Sequence, residues 1–160
     1  MRLMFWTAGL IFLADQLTKW LIVHRLDLIT RQFIEVWPGF ITFRMAWNRG
    51  INFGLFAEFD ARWVLIGIAL AITAFVIWWM RREGGSRWTL LSAGLLIGGA
   101  LGNVVDRVLY GAVADFLNVT CCGIDNPFAF NIADIAVFAG AIGLILFTGD
   151  SGKGRPEKTA

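Results

Sequence analysis

The 160-residue chain is 58% Ala, Val, Ile, Leu, Met, Phe, Trp, Tyr and Cys before any of its 18 glycines is counted, and only 16% charged. Soluble domains reach about 45–50% apolar with glycine included and carry about 25% charge, and a small soluble globule has too much surface to hide the excess. The composition is therefore that of a membrane protein, and a disordered chain or a charged coiled coil is excluded. A formal net charge of +2 is too small to imply nucleic acid or another polyanionic partner. The two cysteines are adjacent, Cys121 and Cys122, and His24 is the single histidine. No disulfide framework and no metal-ligand spacing follow from them, so neither a metal nor a cofactor is expected.

Crossing a bilayer core takes about 20 mostly apolar helical residues, and four segments meet that length. The first, at about 3–23, is apolar until Asp15, Gln16, Thr18 and Lys19 interrupt it. A cleaved signal peptide would need a small-x-small site, which Leu13-Ala14-Asp15-Gln16 lacks, so this segment is expected to stay. The connection that follows, about 25–60, is too long for a turn. In residues 41–47, Ile41, Phe43, Met45 and Trp47 alternate with Thr42, Arg44 and Ala46, the period of a strand with one apolar face. Pro38-Gly39 and Asn48-Arg49-Gly50 bound it, and a small sheet on the outer membrane surface is expected there. Residues 51–59 read as a short interfacial helix.

The second span, 63–80, carries no charge, and the short loop after it holds Arg81, Arg82 and Arg87, a cytoplasmic signature. The third span, 88–105, contains Asn103 and runs into Asp106 and Arg107; the fourth, 131–147, carries Asp134 near its start. Four spans put both termini in the cytoplasm, in keeping with Lys153, Arg155 and Lys158 in a disordered tail at 149–160. Arg25, Arg31, Arg44 and Arg49 in the long first loop weigh the other way, so the orientation rests on the short loop. Residues 1–148 thus read as one all-α membrane domain with a small extracytoplasmic sheet.

Ionisable groups in spans cost roughly 2.5–3.5 kcal/mol each on insertion scales, so each needs a reason. Asp15 and Lys19 stand four apart in the acid-then-base order that favours an ion pair. They either fix the first helix against its neighbours or touch a substrate. Asn103, Asp106 and Arg107 share one helix face behind Gly98, Gly99 and Gly102, small residues that let helices approach. That face either ends the helix at the interface or holds a peptide backbone. Asn131 and Asp134 have the spacing of a helix cap, an explanation that does not reach Asp115 in Val113-Ala114-Asp115-Phe116. Between Asp115 and Asp134 the chain leaves and re-enters the same membrane face, so the two can meet. Paired carboxylates cannot easily both ionise: one can deprotonate a water while the other polarises a carbonyl and protonates a leaving amine.

Five blocks in order then resemble the lipoprotein signal peptidases, the bacterial signal peptidase II family. They are Asp15-Gln16-Leu17-Thr18-Lys19; Asn48-Arg49-Gly50-Ile51-Asn52-Phe53; Gly98-Gly99-Ala100-Leu101-Gly102-Asn103-Val104-Val105-Asp106-Arg107; Val113-Ala114-Asp115-Phe116; and Phe130-Asn131-Ile132-Ala133-Asp134. The resemblance implies four transmembrane helices, an external sheet or cradle, and a short external helix or loop. It implies an aspartyl endopeptidase of the bacterial inner membrane, active site toward the outer face. Such an enzyme cuts prolipoproteins on the N-terminal side of a cysteine already carrying diacylglycerol. The resemblance gives Asp115 and Asp134 the catalytic roles, Asn48, Asn103, Arg107 and Asn131 the substrate contacts, and Asp15, Lys19 and Asp106 supporting ones. Diacylglyceryl prolipoproteins and membrane lipids are the implied partners of a monomer, and no nucleic acid is. Asn52 departs from the small residue usual at its position; Cys121 and Cys122 are expected as two thiols. The competing readings are a small transporter or proton carrier using the same carboxylates, and an inert scaffold whose polar residues merely pair.

Overall fold

The computed structural model describes residues 1–50, 61–120 and 126–148. The expected helix at 51–59, Asn52, the Cys121-Cys122 pair and the tail at 149–160 lie outside the described residues.

Helix α1, Arg2–Lys19, is followed without a break by a π-helical segment, Trp20–Arg25. There the ladder widens, with Leu26 N–H donating to the Leu21 carbonyl at 2.9 Å. A single turn, α2 (Leu28–Arg31), leads into strands β1 (Phe33–Trp37) and β2 (Ile41–Asn48). Helices α3 (Ala61–Glu83) and α4 (Arg87–Tyr110) form a hairpin, strand β3 (Val113–Val119) follows, and α5 (Ile132–Thr148) closes the described chain.

Helix α4 is central, packed against α1, α3 and α5. Its small residues make this geometry. A Cβ on Gly94 would stand 2.6 Å from the Met4 carbonyl oxygen, and one on Gly98 would stand 2.5 Å from that of Ala8. On the other side Gly99 faces the Ala133 carbonyl, and α5 returns the fit with Gly140 against the Leu96 backbone nitrogen. Backbones this close gain dispersion contacts, the main cohesive force between helices where the solvent is lipid. Met4, Ala8, Val76, Met80, Ala93, Leu96, Ile97 and Leu144 form the apolar core between them.

The outside carries a broad apolar skin. Trp6, Phe138 and Ile145 are 72%, 73% and 78% exposed, and Leu10, Leu17, Phe75 and Leu146 also face outward. Water would not tolerate an apolar skin of this extent; lipid matches it. Among the described residues α3 and α4 are long and apolar enough to cross a membrane on their own. Helix α5 has 17 residues, and α1 carries Arg2, Asp15 and Lys19. The third span, α4, also outruns the sequence reading. It continues through Asp106 and Arg107 to Tyr110 and stops at Gly111 (φ 76°), whose N–H donates to the Arg107 carbonyl at 3.1 Å. Asp106 therefore lies within the helix, one turn before its end.

The sheet is antiparallel in the order β1-β2-β3. Strand β2 forms where the alternation predicts it, with Ile41, Thr42 and Phe43 all half-buried, and carries a bulge between Phe43 and Ala46, beyond which Ala46 pairs with Asp115 and Asn48 with Val113. A bulge bends its strand and re-aims side chains, and bulges recur beside active sites. Its effect here is that Met45 is buried while Trp47, expected on the same face, is 40% exposed. Met45 packs with Ile22, Val23, Leu28, Ala114 and Phe116, so the apolar face of the sheet rests on the π-helical segment and α2. Strand β3 has Val113, Ala114, Asp115 and Phe116 all buried. It reads as a short apolar run, without the alternation that would mark a strand.

Candidate active site

Asp115 and Asp134 reach one place from different elements. Beyond β3, the segment that leads into α5 folds back on the strand: Leu117 N–H donates to the Phe130 carbonyl at 2.8 Å and Phe130 N–H to that of Leu117 at 3.0 Å. The Asn118 amide adds bonds of 2.7 Å to the carbonyls of Asn126 and Phe128. Asn131 is thereby fixed beside Asp115 at the start of α5.

Asn131 and Asp134 cap that helix reciprocally. Asp134 N–H donates to Asn131 Oδ1 at 2.9 Å, and Asn131 N–H donates to Asp134 Oδ2 at 3.2 Å. This satisfies amides that a helix start leaves unpaired. The remaining groups of the same residues turn inward. Asn131 Nδ2 donates to Asp115 Oδ1 at 2.7 Å, and Asn103 Nδ2 donates to Asp134 Oδ1 at 2.8 Å. One fully buried asparagine thus bonds both aspartates. Asp115 is buried and Asp134 half-buried. Burial, and then the charge of Asp134, push the Asp115 carboxyl up to about 7, against opposing pulls from the Asn48 side chain, Lys19 and Asn131. Two nearby carboxyl groups in unequal surroundings are suited to hold different protonation states near neutrality.

Behind the aspartates lies an ion cluster. Lys19 Nζ stands 2.7 Å from Asp15 Oδ2 and 2.8 Å from Asp106 Oδ2, with Asn103 Oδ1 at 3.4 Å. The pairing of Asp15 with Lys19 was legible from spacing, whereas the second partner, Asp106, comes from α4. Gln16, not singled out from the sequence, donates to Asp15 Oδ2 at 3.1 Å and Asp106 Oδ1 at 3.2 Å. The only signal for it was its place as a polar residue within an apolar span.

Arg107 is half-buried, its Nη1 donating to the Asn103 carbonyl at 3.2 Å, and Asp134, Asp115 and Asp106 are the charges acting on it. Asn48 sits at the exposed end of β2, where its Oδ1 accepts the Gly50 N–H at 3.0 Å. His24, also exposed, meets the Tyr110 hydroxyl at 3.5 Å. From Asp134 an apolar groove of about 480 Å³ runs along α5, lined by Phe130, Ile135, Phe138, Ala139 and Ile142. Among the described residues no group of three His, Cys, Asp or Glu is arranged to hold a metal ion.

A helical bundle with an apolar skin, carrying one buried and one half-buried aspartate at its sheet-covered end, has the build of a membrane enzyme. The comparisons with known proteins agree. Residues 7–148 match the family model described as signal peptidase (SPase) II. A lipoprotein signal peptidase of Methylobacterium sp. (strain 4-46) is 42% identical over 144 residues, covering 89% of this chain and 86% of the relative. One of Shewanella sp. (strain MR-4) is 35% identical over 158 residues, covering 97% and 91%. A solved structure described as a bacterial membrane enzyme, determined in meso at 1.9 Å, superposes with a TM-score of 0.78 at 27% identity, covering 95% of this chain and 94% of that one. The chain belongs to the signal peptidase II family; it is a membrane peptidase.

Proposed function

We propose that this peptidase is an aspartyl endopeptidase that removes the signal peptide from prolipoproteins, cutting on the N-terminal side of the diacylglyceryl cysteine, with Asp115 and Asp134 as its catalytic pair. The observation that carries the reading is the bonding of Asn131 to both carboxyl groups, 2.7 Å to Asp115 and 3.2 Å to Asp134. In this reading α1 and α5 cross the bilayer together with α3 and α4. Both termini face the cytoplasm and the sheet end faces outward.

The half-buried Asp134, on the first turn of α5 where the helix dipole favours negative charge, is the ionised partner. The buried Asp115 is the protonated one. Asp134 takes a proton from water as its oxygen adds to the scissile carbonyl carbon, and Asp115 gives its proton to the carbonyl oxygen. When the diol collapses, the C–N bond breaks. Because Asp115 has already given its proton to the carbonyl oxygen, the departing nitrogen takes its proton from Asp134. This differs from the sequence reading, in which the carbonyl-polarising acid protonates the amine. Asp115 regains its own proton from the diol hydroxyl. Asn103 and Asn131, engaged with the carboxylates, orient them. Arg107 and Asn48, toward the rim, are the groups that meet the substrate backbone. The groove along α5 takes apolar substrate segments. Each buried methylene of a diacyl chain contributes about 0.8 kcal/mol of retention, so the lipid holds the scissile bond at headgroup depth, within reach of water. A carrier would place its carboxylates near the midplane, at broken helices; here Asp115 lies on a strand and Asp134 at a helix start.

The test is cleavage of a diacylglyceryl prolipoprotein by Asp115→Asn and Asp134→Asn. Each variant should insert and fold yet lose about 10²–10⁴-fold in turnover, the range of general acid–base catalysis. Near-normal turnover by either would remove that residue from the pair.

A further inference from the structure

Each aspartate of the proposed pair is preceded by an alanine whose backbone N–H ends on a buried carboxylate. Ala114 N–H donates to Asp106 Oδ2 at 3.1 Å, and Ala133 N–H donates to Asp15 Oδ1 at 3.0 Å. Lys19 Nζ joins those two carboxylates at 2.7 and 2.8 Å, and Gln16 Nε2 spans them a second time. Asp15, Asp106 and Lys19 are 0%, 1% and 6% exposed. One continuous run of bonds therefore connects α5 to β3 through α1 and α4. It enters each element one residue ahead of the reacting carboxyl.

An ion pair serving only to hold α1 against α4 would need one carboxylate. Two acids on one ammonium leave excess negative charge in a buried place, where each unpaired charge is expensive. Charge balance therefore does not account for the second acid, whereas the amides do. Ala133 N–H lies in the first turn of α5, where no intrahelical acceptor exists, and Ala114 N–H is buried on the strand. Each acid satisfies one of them.

We propose that Asp15, Lys19 and Asp106 act as a single positioning unit, a cross-tie that sets the separation and orientation of Asp115 and Asp134. The inference rests on the aspartyl-peptidase reading above. The three act through the backbone at Ala114 and Ala133, where the two carboxylates end. Lys19 also reaches the pair through Asn103, whose Oδ1 it meets at 3.4 Å and whose Nδ2 holds Asp134 at 2.8 Å.

The experiment compares Asp106→Ala, Asp106→Asn and Lys19→Met with wild type on a diacylglyceryl prolipoprotein in detergent micelles, per folded molecule, across pH. Asp106→Ala should lower kcat by about 100-fold with little change in KM, the scale of an ångström-sized misplacement of a catalytic group. Asp106→Asn keeps an oxygen for the Ala114 N–H and should recover about tenfold of that loss. The charges acting on Asp115 are Asp134 on α5, Lys19 on α1 and Arg107 on α4, with Asp106 one residue away on the Ala114 N–H; β2 presents the uncharged Asn48. Removing the Lys19 cation should therefore move the alkaline limb of activity to higher pH, and removing the Asp106 anion should move it lower. A role confined to bundle packing would reduce the folded yield while leaving kcat per folded molecule in place. Wild-type kcat per folded molecule in Asp106→Ala overturns the cross-tie. If Asp106→Ala does not fold, Asp106→Asn and Lys19→Met decide: a lowered kcat at little-changed KM supports the cross-tie, and wild-type kcat in both overturns it. Asp115→Asn and Asp134→Asn run alongside; cleavage by either defeats the catalytic assignment itself, a separate outcome.

Discussion

Asp115 should destabilise the protein it serves, and Asp115→Asn should yield a more stable, inactive enzyme. Its carboxyl ionises at about 7 in the folded chain, against an ordinary value of 3.8. Burial is the main cause, with the charge of Asp134 next. An acid with a raised folded value binds its proton more tightly folded than unfolded, so folding stability falls as pH rises from about 4 to 7 and is level above that. At 1.36 kcal/mol per unit, the shift from 3.8 to about 7 corresponds to an upper bound of about 4 kcal/mol above neutrality. Asparagine keeps the shape and an oxygen for Asn131 Nδ2 without the charge. A gain of about 2–4 kcal/mol at pH 8 translates to a rise of roughly 5–15 °C in Tm for a chain of this size. Thermal unfolding in detergent, followed by tryptophan fluorescence at pH 5 and pH 8, measures it. The stabilisation should be larger at pH 8 and should shrink at pH 5. An equal or lower Tm for the variant at pH 8 would refute the claim that Asp115 ionises against a penalty.

Three further outcomes can be measured. Gly98→Val puts a branched side chain where a single Cβ would already lie 2.5 Å from the Ala8 carbonyl; overpacking of about 1–3 kcal/mol should lower Tm and folded yield, and an unchanged Tm would contradict the close α1–α4 approach. Asn131→Ala removes a bond that favours the ionised form of Asp115, so the alkaline limb of the pH–rate profile should rise by about one unit, the equivalent of a charge-assisted bond of about 1.5 kcal/mol; a downward shift would argue against Asp115 as the proton-bearing member. A prolipoprotein lacking diacylglycerol should be cut far more slowly than the lipidated form in vesicles, and equal rates would show that acyl anchoring does not position the scissile bond.

What could be read from the sequence was whatever depends on short spacing. The Asn131–Asp134 cap, the Asp15–Lys19 pair and the helical cores of the apolar segments are all local patterns, and they stand where spacing put them. The meeting of Asp115 and Asp134 came from topology: a chain that leaves and re-enters one face brings its ends together. Long-range partnerships were hidden. Nothing local in Asp106 points to Lys19 on another helix or to the Ala114 amide, and Gln16 stood only as one of four polar interruptions of an apolar run. Strand β3 escaped because burial of successive residues erases the alternation that identified β2, and β1 because it is almost wholly exposed. The bulge after Phe43 then moved Trp47 away from the face its parity implied, a shift no period-two reading contains.

Asn131 and Asp134 begin α5 with the same two side chains that hold Asp115 and supply one carboxyl group of the proposed pair. A lineage cannot exchange one of these side chains for a non-capping residue without loosening the helix, nor alter the helix start without displacing the acid. Genetic drift at this spot is therefore doubly penalised. A compound that gripped Asn131 and Asp134 would leave its target few viable escape mutations.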